Sequence, residues 1–208
     1  MSLINIISED KNYKLSYDTL KSIEDIFIEY GFQVENLTEK SYIESGLWSD
    51  VYRLNGGWVL KITHERFVKD DYIPLLDNDT KNVATVIFAD KIPINTGRQF
   101  YGIIQEYVPD NIAEVKLLIE RFTPELSYSS NLKLVRGIFN DFNTGEYSLS
   151  DFKNEYQKQL INKSEILKFI TDVYNGIQEL LSVGIIPEDV HFGNIRKDEE
   201  GNYKIIDF

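Results

Sequence analysis

The 208-residue chain carries 22 Lys and Arg against 34 Asp and Glu, a formal charge of -12, so a face that binds nucleic acid or an anionic membrane, which needs clustered cations, is not expected. Cysteine is absent, which excludes disulfides, Cys-ligated metals and thiol nucleophiles and suits a reducing compartment, and two histidines leave little for a zinc site. A hydrophobic content of 42% fits one large domain or two small lobes; no basic leader precedes an apolar run, and no stretch approaches the roughly 18 apolar residues of a spanning helix, so a cytoplasmic protein with no membrane partner is expected.

Residues 16–31 predict an amphipathic helix, with Ser16 as N-cap, Leu20, Ile23, Ile26, Phe27 and Tyr30 at helical spacing, and Gly31 as the stop. From Tyr42 to Thr63 the pattern changes to two short β-type runs, SDVYRL and WVLKIT. Asn55-Gly56-Gly57 between them predicts a hairpin, because Asn and Gly tolerate positive φ. Further strands are predicted at ATVIFADKI and FYGIIQEYV, with Thr96-Gly97 as the turn, completing an antiparallel sheet.

Residues 111–160 mix a helical piece, AEVKLLIERF, with a polar stretch, SYSSN, and a predicted turn at Asn143-Thr144-Gly145. Asn162 and Glu165 form a candidate capping box for a helix carrying Ile166, Phe169, Ile170, Val173, Ile177, Leu180 and Leu181, with Gly184 as its end. The loop PEDVHFGN follows, then a hairpin over IRKDEEGNYKIIDF that turns near Glu200-Gly201-Asn202. The order is sheet first, helices second, small hairpin last.

Asp189 and Asn194 stand five residues apart in that loop, and Asp207-Phe208 close the hairpin. Taken singly, an Asp or Asn in a loop caps a turn. Taken in this order, they resemble the catalytic loop and the D-F-G motif of the protein-kinase-like superfamily. The resemblance implies that Asp189 orients the attacking hydroxyl and accepts its proton, and that Asn194 and Asp207 hold Mg²⁺. Phosphoryl transfer needs such a set: oxygen ligands converging on a hard cation, with a further carboxylate left to face the acceptor.

Upstream, residues 45–53 resemble the glycine-rich loop, with Gly46 at the middle glycine, Ser49 at the third and Val51 at the valine over the adenine; Glu44 stands at the first glycine position. Val59-Leu60-Lys61, ten residues on, resembles the strand whose lysine contacts the nucleotide phosphates. FYGIIQEYVP resembles the strand and hinge whose backbone bonds the adenine, which makes Glu106, Tyr107 and Val108 the candidates there. For the carboxylate partner of the lysine, Glu65, Asp70 and Asp71 are all within reach in sequence, and none is selected.

Pro187-Glu188 replace the His-Arg pair before the catalytic Asp, so control by activation-loop phosphorylation is not expected. His191 brings the loop nearer to the D-x-H-x-x-N pattern of aminoglycoside and other small-molecule phosphotransferases. With Phe208 last, the D-F-G glycine, the activation segment and the closing helices of a kinase are expected to be absent, leaving residues 111–160 and the first helix to substitute for them unless the polypeptide is longer. The resemblance implies an α+β, kinase-like two-lobe fold: residues 1–108 as a lobe with an antiparallel sheet, and 109–208 as a reduced, mostly helical lobe. It implies an ATP- and Mg²⁺-dependent phosphotransferase acting on a hydroxyl of a small molecule or protein. The alternative is a pseudokinase-type nucleotide- or protein-binding module, for which the loss of glycines and of the substrate lobe speaks.

Overall fold

In the computed structural model the chain is described over residues 15–34, 37, 41–45, 49–76, 78–94, 99–160 and 163–208, excepting the side chains of residues 44, 45 and 157–160. It divides into two compact units. One comprises Met1–Leu76 and Val86–Tyr107, the other Asp77–Thr85 and Val108–Phe208. Among the described residues the elements are mixed, a five-stranded antiparallel sheet with six α-helices and a small hairpin, and no helix is long and apolar enough to cross a membrane.

The first unit opens with helix α1, Tyr17–Glu29. Ser16 caps it, its Oγ accepting from the Thr19 amide at 3.2 Å, and Gly31 ends it at φ 86°. Strands β1 (Tyr42–Ser45), β2 (Ser49–Leu54), β3 (Trp58–Thr63), β4 (Val86–Ile92) and β5 (Phe100–Glu106) pair in the order β1-β2-β3-β5-β4. The predicted hairpin turn is present, with Gly56 at φ 74° and Gly57 at φ 83°. The turn expected at Thr96-Gly97 lies outside the described residues.

Alternation along the strands sorts the sheet into two faces. Tyr52, Leu54, Leu60, Ile62 and Ile104 join Leu20, Ile23 and Phe27 of α1 in one apolar core. Gly102 of β5 lets the helix come close, since a Cβ there would lie 2.8 Å from the Phe27 ring. The opposite face carries Val51, Val59, Lys61, Ile103 and Gln105, all buried. A short helix that sequence periodicity did not announce, α2 (Arg66–Tyr72), packs against β3, β4 and β5.

The second unit is helical, with α3 (Ile112–Glu120), α4 (Tyr128–Thr144), α5 (Leu149–Leu160) and α6 (Ser164–Ser182), followed by the hairpin β6 (Ile195–Lys197) and β7 (Tyr203–Ile205). The polar stretch SYSSN starts α4: Ser127 is its N-cap, accepting from the Ser130 amide. Asn143 and Thr144 form its last turn and Gly145 is its left-handed C-cap at φ 73°, so the turn expected there is a helix end. Asn162 lies outside the described residues, and Lys163 stands at the N-cap of α6.

The α6–hairpin packing is held by polar bonds as well as by Phe169, whose ring lies 5.1 Å from that of Tyr203. Asp172 accepts from the Tyr203 amide at 3.0 Å and from Lys168 Nζ at 2.5 Å. Burial pushes the Tyr203 phenol up to about 12, so it serves as a neutral core ring against Phe169. Residues 82–84 lie beside β7 as a parallel neighbour. Ile205 N–H donates to Asn82 O, and Ala84 N–H to Ile205 O, each at 2.9 Å, while Asn82 Nδ2 donates to Tyr203 O at 3.0 Å. Glu179 of α6 anchors this segment by accepting the Lys81 and Asn82 amides.

Gly176 makes that approach possible, because a Cβ at 176 would stand 2.7 Å from the Asn82 carbonyl oxygen and 3.0 Å from Ile205 Cδ1. A Cβ at Gly137 in α4, by contrast, would meet nothing within 4 Å. Urea titration is expected to show Gly176→Ala destabilised by about 1–3 kcal/mol through overpacking, and Gly137→Ala unchanged or stabilised by up to about 1 kcal/mol through helix propensity.

Candidate functional site

In the first unit the structure gathers Val51, Val59 and Lys61 on one face of the sheet: Val51 pairs with Lys61, and Val59 lies two residues back on the same strand. Ser49 is half-buried at the start of β2; Gly46 lies outside the described residues. Lys61 is 8% exposed, and its Nζ donates to Tyr72 Oη at 2.7 Å, with the ammonium 4.9 Å from the ring centroid. Sequence offered Glu65, Asp70 or Asp71 as partner; the phenol from the end of α2 is a partner that it did not offer. Asp70 is engaged by Lys69 at 2.8 Å and Arg66 at 3.3 Å, and the Lys69 hydrogen bond holds its carboxyl below the usual range. At the end of β5, Tyr107 N–H donates to Gly57 O at 2.8 Å and its ring lies under Arg53 at 4.2 Å, so that amide is committed within the sheet. Glu106 pairs with Trp58 in the β5–β3 ladder. Val108 is buried in the second unit.

In the second unit hydrogen bonds tie Asn194 to Asp189 and to Ile206, the residue before Asp207. Residues Phe192–Asn194 form a single 3-10 turn, with Asn194 N–H donating to His191 O at 2.9 Å. Asn194 Nδ2 donates to Asp189 O at 3.1 Å, which commits the amide nitrogen and leaves the amide oxygen as an acceptor. Asn194 O accepts from Ile206 N–H at 2.9 Å, which fixes the strand end carrying Asp207 against the loop. Asp189 and Asp207 are exposed and able to meet a ligand.

His191 orients this loop. Its Nδ1 accepts from Gly193 N–H at 2.9 Å, so in the neutral ring the proton sits on Nε2, which is 3.5 Å from Asp189 Oδ2. Gly193 is required for this packing, since a Cβ there would lie 2.5 Å from His191 Cε1. Three further residues, which sequence did not offer as site residues, brace the loop. Asn143 Nδ2 donates to Pro187 O at 2.8 Å, Arg196 Nη1 donates to Gly193 O at 2.6 Å while its Nε faces Asp110, and Asn111 makes a two-way clamp with the backbone of Lys197.

Among the described residues no group of three or more His, Cys, Asp or Glu side chains could hold a metal ion. The donor set of Asn194 and Asp207, one amide oxygen and one carboxylate, fits Mg²⁺, which takes few protein ligands and completes its shell with water and phosphate oxygens.

No protein-family profile matches the chain, and no curated protein matches its sequence. Among solved structures it is similar to a ternary complex of streptomycin, ATP and APH(2″)-IIa, at 15% identity over 93% of this chain and 73% of that one, with a TM-score of 0.33. It is also similar to a thermostable mutant of the aminoglycoside phosphotransferase APH(4)-Ia in its apo form, at 13% identity over 88% of this chain and 69% of that one, with a TM-score of 0.35.

Tyr72→Phe removes an acceptor from a buried ammonium. Because hydrogen bonds to charged groups contribute more than neutral ones, the variant is expected to lose about 1.5–3 kcal/mol in urea titration.

Proposed function

We propose that the chain is a kinase-like phosphotransferase that uses ATP and Mg²⁺ to phosphorylate a hydroxyl of a small molecule or a protein. The observation that carries this reading is the hydrogen-bonded run from Asp189 through Asn194 to Ile206, which holds two exposed carboxylates and an amide oxygen on one loop and one strand end. Isolated turn caps would not be tied to each other in this way.

Each unit has its own part in the reaction. In the first, Lys61 is the cation for the phosphates. It is buried and held by Tyr72, so little side-chain entropy is lost when it engages a ligand. Val51 and Val59 supply the apolar surface for the base on the same sheet face, and Ser49 stands at the third glycine position of the phosphate loop, after Gly46. The backbone of Glu106 is the candidate for the adenine edge in this unit; Tyr107 contributes through position, its amide being used by Gly57.

In the second unit, Asn194 and Asp207 would hold Mg²⁺, which when bound neutralises charge on the phosphate oxygens. Asp189 faces the acceptor. The acceptor oxygen bonds to the γ-phosphorus as the bond to ADP breaks, and the acceptor proton passes to Asp189. His191 Nε2–H keeps the Asp189 carboxylate oriented, so the chain contributes mainly positioning and electrostatics.

Thermal unfolding with ATP, Mg²⁺ and both tests this directly. ATP at a hundredfold excess over its Kd is expected to stabilise the protein by about 2.7 kcal/mol, with a part that depends on Mg²⁺ and disappears in Asp207→Ala. Asp189→Asn should retain the full shift and lose turnover by about 10²–10⁴-fold. No shift at millimolar ATP would contradict the reading.

A further inference from the structure

The second unit contains a cavity of about 220 Å³ that none of the assigned roles uses. One face of α4 forms its floor, with Leu132, Val135, Arg136 and Phe139 at helical spacing, and the catalytic loop closes it with His191 and Phe192. Its interior is apolar. Val135 and Phe139 are 2% and 1% exposed, and hydrocarbon-lined space of this kind gains most from an apolar occupant. A cavity of roughly 150 Å³ accommodates benzene, so this one has room for a ring and a short side chain.

The charged side chain in the lining of the cavity is a cation. Arg136 lines it, Lys116 Nζ stands 5.9 Å from the ring of Phe192, and among the described residues no carboxylate lines it. In a chain of net charge -12 this is a local inversion, and it selects against a cationic ligand. His191 joins the cavity to the chemistry, because the same ring that walls it has Nε2 3.5 Å from Asp189 Oδ2.

From these features we infer that the cavity is the acceptor pocket and that it takes a small carboxylic acid with an apolar body and a hydroxyl group. Resting on the phosphotransfer reading above, this specifies its substrate class. The apolar body fills the α4 face, the carboxylate pairs with the Arg136 guanidinium, whose fork matches it in two hydrogen bonds, and the hydroxyl is presented at the His191 end. The hydroxyl oxygen takes the γ-phosphoryl group as ADP leaves, and its proton goes to Asp189, giving a phosphate monoester of the acid.

The test has a binding arm that needs no nucleotide and a turnover arm that does. In calorimetry with the free protein, 3-phenylpropionate is expected to bind, with at least tenfold loss in Arg136→Gln and in Leu132→Trp, which fills the cavity, and phenethylamine is expected not to bind. Arg136 is exposed, so its variant should unfold like wild type. Absence of 3-phenylpropionate binding, equal binding in Arg136→Gln, or equal binding of phenethylamine overturns the pocket. With ATP and Mg²⁺, 3-phenyllactate is expected to give a new phosphate-monoester signal in ³¹P NMR, and 3-phenylpropionate none. If 3-phenylpropionate and ATP both bind but no monoester forms, the acceptor assignment is overturned. If ATP fails to bind, the phosphotransfer reading itself fails, and the binding arm alone then decides whether the cavity recognises such acids.

Discussion

The backbone of Asn82 lies so close to α6 that only glycine fits at position 176, and the β6–β7 hairpin depends on that contact. With residues 82–84 against the helix, Ile205 gains a donor and an acceptor on its outer edge, and a hairpin of three-residue strands becomes part of a wider layer. Isolated two-stranded hairpins are marginal in water. Here β7 is held by β6 on one side, by Asn82 and Ala84 on the other, and by Asp172 from the helix at its first amide. The strand end beyond it therefore has a fixed place, which is what Asp207 requires if it is to act as a ligand.

The same logic runs through the loop before the hairpin. Asp189 is exposed and reaches solvent, while the groups around it are tied to the main chain: the Asn194 amide, the His191 ring locked by Gly193, and the Asn143 and Arg196 braces. A reactive group on a loop needs a supporting shell to limit its motion, and this shell is built from hydrogen bonds to main-chain carbonyls rather than from apolar packing. In the first unit the solution differs. Lys61 sits within a strand bonded on both sides, and the short helix after β3 supplies the phenol that receives its ammonium.

Much of this was readable in the residues because it is local. Asn55-Gly56-Gly57 demands positive φ, the apolar spacing of 166–180 demands a helix, and Asp189 and Asn194 lie within one loop, so their association needs no long-range folding. What was hidden is long-range or chemically degenerate. The 82–84 segment joins β7 through backbone bonds that leave no pattern in side chains. In α4, Asn131 is fully buried because its Nδ2 binds the carbonyls of Glu120 and Thr123, which disguises the core face of the helix as a polar stretch. Tyr72 was not legible because a lysine partner is expected to be a carboxylate, and a phenol accepts from an ammonium as well. The cavity on α4 is formed by residues 119 to 192, which only the fold brings together.

The central claim is that Asn194 and Asp207 form the metal end of an ATP site, and paramagnetic Mn²⁺ in place of Mg²⁺ reads it residue by residue. In amide spectra of the ATP complex, the account predicts that broadening is strongest at Asn194 and Asp207 and weak at the Gly201 turn, at the opposite end of the hairpin. Broadening centred on another acidic part of the chain, or identical with and without ATP, would contradict it.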